Sequence, residues 1–88
     1  MHEFHLMEGL ISKIKSIARE RNAKRITGVK VQLGALSHIS ADHFREHFEA
    51  ASRATPAEGA RLDIEVMTDI RDPKAQEILL RDIEIEEL

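Results

Sequence analysis

Cysteine, tryptophan and tyrosine are absent from this 88-residue chain, proline occurs twice, glycine four times, and three phenylalanines are the only aromatic carbocycles. Without cysteine there is no disulfide, no thiol nucleophile and no thiolate-held structural zinc. Three Phe offer few surfaces for base stacking, and 13 basic against 16 acidic residues leave a formal charge of -3, so no basic footprint for nucleic acid exists. No apolar run approaches the roughly 20 residues that a bilayer-spanning helix needs. The opening HEFHLMEGL also lacks the basic start and unbroken apolar stretch of a secretory signal. What is present, 42% hydrophobic and 33% charged residues, suits one soluble domain over 1–88 with a modest core, expected in the cytoplasm and away from membranes.

From Phe4 to about Arg21, Met7, Leu10, Ile11, Ile14, Ile17 and Ala18 recur at helical spacing, which predicts an amphipathic helix ended by Asn22 and the polar stretch after it. On that helix His5 is expected opposite the apolar stripe, among Ser12, Ser16 and Arg19. TGVKVQLG alternates Val29, Val31 and Leu33 against Gly28, Lys30 and Gln32, the pattern of a strand. Ser40 can cap a second helix over about Ala41 to Arg53, with Phe44, Phe48 and Ala51 as its buried stripe. TPAEG is turn chemistry, with Pro56 fixing one dihedral and Gly59 free to take a positive φ. Leu62, Ile64 and Val66 then alternate as a second strand. After a short loop around Asp72-Pro73, Ile78 and Leu80 share one parity while Ile83 and Ile85 take the other, so a bulge near Arg81-Asp82 is expected. The order helix-strand-helix-strand-strand predicts an α+β fold in which two helices cover one face of a mixed three-stranded sheet. The crossover makes the first two strands parallel, and the short final loop makes the third antiparallel.

Chemistry concentrates at the start, Met1-His2-Glu3-Phe4-His5. A free Met1 amine, the His2 amide nitrogen once deprotonated, and the His2 imidazole can close two adjacent chelate rings around one ion. Three nitrogens in a plane suit Ni(II) or Cu(II) better than tetrahedral zinc. The fourth corner stays open to Glu3, His5 or a partner's side chain, an arrangement suited to transfer. The alternative is a frayed terminus with incidental histidines. His43 and His47 form an i, i+4 pair, and HFREH reads as His-x-x-Glu-His; a catalytic zinc would need a third ligand and a cleft that so short a chain has little material to build. These two are therefore expected to flank the Phe44/Phe48 stripe, with Glu46 toward solvent. His38 is expected to be a loop residue, and EIEIEEL an edge strand with outward acids. No nucleophile with an adjacent base and no phosphate-cradling glycine loop is present, so no catalytic residue is assigned and an enzyme is not expected.

Met1-His2-Glu3 leading into an amphipathic helix, KRITGVKVQLGALS at 24–37, ATPAEGARLDIE at 54–65 and IEIEEL at 83–88 together resemble the HypA/HybF family of nickel-incorporation proteins of hydrogenase and urease maturation. The resemblance implies a nickel metallochaperone whose ligand is His2, supported by the Met1 amine and backbone nitrogen, with Glu3 beside it. It also implies a maturation GTPase, HypB, and a hydrogenase or urease precursor as partners. Two departures stand out. Family members insert a lobe between the last two strands, where paired Cys-x-x-Cys motifs hold a structural zinc. Here only a short loop at about 67–77 remains, so no structural zinc is expected. His5 replaces a polar residue that is not a good nickel ligand, and it could complete or compete for the coordination plane. The other reading is a metal-independent interaction module that keeps the family fold. Either reading admits a homodimer.

Overall fold

The computed structural model describes the backbone of residues 2–87 and the side chains of residues 6–86. Five elements follow in the expected order: α1 (His2–Glu20), β1 (Ala23–Leu33), α2 (Ala41–Ala51), β2 (Arg61–Val66) and β3 (Ile78–Glu87). The sheet order is β2-β1-β3, with β1 parallel to β2 and antiparallel to β3.

The apolar stripe of α1 supplies Met7, Leu10, Ile11, Ile14 and Ala18 to the core, where they meet Val29, Val31 and Leu33 of β1 and Phe44 and Phe48 of α2. The two phenyl rings stack with centroids 6.1 Å apart and an interplanar angle of 24°. Fully burying each such ring stabilises the fold by roughly 1.5–3 kcal/mol. One apolar cluster joins both helices to the sheet, while the opposite sheet face is charged: Glu84 pairs with Arg61, and Glu86 with Arg25 at 3.0 Å.

Asn22 takes a left-handed φ of 51° directly after α1, the conformation that asparagine tolerates best after glycine and that stops a helix. Ser40 caps α2, its side chain accepting a hydrogen bond from the His43 amide at 3.1 Å. Gly59 takes a φ of 79°, as the turn requires. The parity change in β3 is also present: Lys30 pairs with Asp82 and Val31 with Leu80, so Arg81 is the extra residue. That bulge lets Ile78, Leu80, Ile83 and Ile85 all pack against the core.

Several expectations need correction. Strand β1 starts at Ala23, four residues before the TGVKVQLG stretch, because Ala23 to Ile26 pair with β3 and the Ile26 amide donates to the Pro56 carbonyl at 2.8 Å. Register shifts after Ala23 and Ile26 break the alternation there, which hides the strand from a period-two reading. Helix α2 ends at Ala51, not Arg53, and the Ser52 amide closes its last turn onto the Phe48 carbonyl at 2.9 Å. Ala51 is exposed, since it stands at the rim between the two helices instead of beneath them. Val66, on the apolar parity of β2, is 53% exposed as the last residue of an edge strand.

Candidate metal centre

The helix directions follow from what each packs beside. Leu6, Leu10 and Lys13 share a hollow with Ile78, Leu79 and Arg81, whereas Lys13, Ile17 and Arg21 share another with Leu80, Ile83 and Ile85. Thus α1 runs alongside β3 in the same sense, and its beginning lies where Ile78 pairs with Leu33. Helix α2 follows Leu33 by a short connection and must return to the Arg61 end, because β2 is parallel to β1. Both helices therefore start at the same end of the sheet.

That end also receives the connection between β2 and β3, residues 67–77. It is tied down by backbone bonds from Gly34 to Glu77 at 2.9 Å and from Leu36 to Ala75 at 2.7 Å. Asp69 and Asp72 fold it into turns, their carboxylates accepting from the amides of Arg71 at 2.9 Å and Lys74 at 2.8 Å. Gly34 is required there, since a Cβ would collide with the Ala75 carbonyl.

Of the candidate ligands, Met1 lies outside the described residues. His2, Glu3 and His5 belong to the first turns of α1, and their side chains lie outside the described set. The backbone nonetheless constrains their chemistry. The first N–H groups of an α-helix have no intrahelical acceptor, so helix formation does not consume the His2 amide that a metal would have to deprotonate. A dication at the positive end of the helix dipole is opposed by about 0.3–1 kcal/mol. Loss of that amide proton and the charge of Glu3 offset the opposition. By its chemistry a donor set of amine, amide nitrogen and imidazole would suit Ni(II).

His43 and His47 occupy the first two turns of α2, with ring centroids 4.6 Å apart at an angle of 84°. His43 is exposed and His47 half-buried beside the Phe44/Phe48 stripe, and Glu46 is exposed, as expected. Among the described residues no group of three or more His, Cys, Asp or Glu could hold a metal, so no third ligand for a zinc peptidase is found there. His38 is exposed, with a left-handed φ of 61° in the turn that leads to Ser40. All five histidines of the chain consequently lie in segments that gather at one end: the start of α1, the loop after β1, and the first turns of α2. The sequence pattern puts the α2 pair beside the Phe44/Phe48 stripe, with a self-contained zinc motif as the lesser reading. That α2 begins at the end where α1 does depends on strand pairing, which no local pattern carries.

No helix among the described residues is long and apolar enough to cross a membrane. Residues 1–71 match the family described as hydrogenase/urease nickel incorporation, metallochaperone, hypA. The hydrogenase maturation factor HypA of Methylocella silvestris is 37% identical over 67 residues, covering 76% of this chain and 59% of that protein. The HypA of Archaeoglobus fulgidus is 40% identical over 72 residues, covering 81% of this chain and 66% of that protein. The chain therefore spans about six-tenths of the length of these curated relatives. The solution structure of the Ni metallochaperone HypA from Helicobacter pylori superposes with a TM-score of 0.80 at 20% identity, over 100% of both chains, a likeness of fold. A family of metallochaperones and maturation factors is not one of enzymes. With a family match across most of its length and the same two-layer fold, this chain belongs to the HypA family of hydrogenase/urease nickel-incorporation proteins.

Proposed function

We propose that the chain binds Ni(II) through the Met1 amine, the deprotonated His2 amide and the His2 imidazole, with Glu3 and His5 beside them, and hands it to a hydrogenase or urease precursor. A HypB-like GTPase is the partner in that delivery, and the cytoplasm is its place. The observation that supports this reading is that α1 begins at His2, so that helix formation does not consume the amide which, with the Met1 amine and the His2 imidazole, would complete the chelate. The whole of 1–88 serves as the nickel-binding domain, and the 67–77 connection, short and pinned to Gly34 and Leu36, replaces the zinc lobe, so no structural zinc is required. Nickel is cargo here, and a partly filled plane suits release.

The reading is tested by Ni(II) titration of tagless protein near neutral pH. His2→Ala, or one residue added before Met1, weakens binding at least about tenfold, or about 1.4 kcal/mol. Affinity also falls under acid, since protons compete for an α-amine of ordinary pKa about 7.7–8.0. If both variants bind as the parent does, the terminal site is wrong. The other reading is a metal-independent interaction module that keeps the family fold. Calorimetry with a HypB-like GTPase separates the two, because that reading requires unchanged affinity in chelator.

A further inference from the structure

We propose that the open edge of β3 pairs with β3 of a second copy of this chain, antiparallel about a two-fold axis between Arg81 and Asp82, so that the two sheets become one. The inference goes beyond the nickel reading above and does not depend on it.

Strand β3 is the last in the order β2-β1-β3, so among the described residues no strand lies on its far side. Ten residues of open edge present a row of backbone donors and acceptors, which is a template for another strand. The apolar side chains there are incompletely covered: Ile78, Leu80, Ile83 and Ile85 are half-buried, whereas Val29 and Val31 of the central strand are fully buried. Two open hollows follow the seam between this edge and α1. One is lined by Leu6, Gly9 and Lys13 with Ile78 and Leu80, the other by Lys13 and Ile17 with Leu80 and Ile83. Gly9 stands in the interior of α1, where glycine weakens a helix relative to alanine, yet a Cβ there would meet nothing within 4 Å. Nothing in the single chain calls for that glycine.

Self-complementarity selects the partner and the register. Directly opposed residues of an antiparallel pair share a face, so a regularly alternating strand pairs with its own copy at like parity. For β3 that would set Ile78 and Leu80 against Asp82 and Glu84. The bulge at Arg81 exchanges parity and removes the mismatch. About an axis between Arg81 and Asp82, Leu80 opposes Ile83 of the second copy, Ile78 opposes Ile85 of the second copy, and Arg81 opposes Asp82 twice, as two-fold symmetry requires. The helices agree. Helix α1 packs on both β1 and β3, about half a strand spacing inside β3, and the axis lies half a spacing outside it. With strands about 4.8 Å apart, the two copies of α1 stand roughly 10 Å from each other, the upper end of helix-packing distances. Lys13 and Arg81 line both hollows, so Lys13 is level with the axis, and one turn to either side Gly9 of one copy faces Ile17 of the other. Small meets large, which gives Gly9 its purpose.

The test is sedimentation equilibrium of the tagless full chain in chelator, from low micromolar to millimolar protein. A single-strand interface is small, so the parent is expected to be a dimer at the upper end and to dissociate on dilution. Arg81→Asp sets a carboxylate against Asp82 of the second copy, and Asp82→Arg sets a guanidinium against Arg81 of the second copy. Each is expected to weaken self-association at least about tenfold. Mixed in equal amounts, the two variants match at both positions and form a heterodimer, an outcome that a merely damaged edge does not give. A parent that stays monomeric throughout overturns the proposal; the bulge, with the Asp82 carboxylate accepting from the Ile83 amide at 2.9 Å, is then a device that blunts the edge. Variants that dimerise like the parent, or that fail to associate on mixing, overturn it as well. Should either variant unfold, amide exchange of the parent decides: exchange along Leu79 to Ile85 slows as concentration rises, and exchange independent of concentration overturns the pairing.

Discussion

At the end of the sheet where Leu33 meets Ile78, α1 and α2 begin and the histidines collect; at the other, where Ala23 meets Glu87, exposed Lys24 and Arg25 share Glu86 at 3.7 and 3.0 Å. The second end is built from ion pairs, a two-residue helix-to-strand link and the Pro56–Gly59 turn, all devices that fix the chain's path. The first end spends its side chains differently. It carries histidines, a helix start whose amides have no helical acceptors, and a connection tied by backbone bonds to Leu33, Gly34 and Leu36. Each end carries two of the chain's reversals, but the histidines lie at only one of them.

That contrast can be broken hardest from the core. Phe44 anchors α2 between the sheet and α1 with no exposure, so Phe44→Ala costs about 3–5 kcal/mol in urea unfolding and detaches the histidine pair from its place. A smaller perturbation acts on the histidine end only. Ser40→Ala removes the acceptor of the His43 amide and costs about 1 kcal/mol, with fraying at the first turn of α2 seen as faster amide exchange at Asp42 and His43. The smallest effect is expected at the opposite end. Glu86→Gln breaks exposed ion pairs with Lys24 and Arg25, changes stability by less than about 1 kcal/mol, and leaves nickel affinity alone. A nickel defect in Glu86→Gln would erase the distinction between the ends.

Much of the fold was legible in the chain because it is written locally. The α1 stripe, the Ser40 cap, Gly59 and the switch of parity across Arg81 each act within a few residues, and each appears where its pattern places it. The first residues of β1 escaped because two register shifts there destroy the alternation, and Val66 misled because strand parity does not reveal where helical cover ends. For the site the division is sharper. The donors of Met1 and His2 are consecutive, so adjacency alone brings them together. That the two helices begin at the same end depends on α1 following β3 and α2 opposing β1, a matter of pairing across the whole chain.

The central claim, that the unblocked amine and its neighbouring histidine hold nickel at the end where both helices begin, is tested most directly by titrating Ni(II) into tagless protein with a free and with an acetylated Met1. The account predicts at least about a tenfold loss on acetylation, with the fold unchanged by circular dichroism. Equal nickel affinity in the two forms would contradict it.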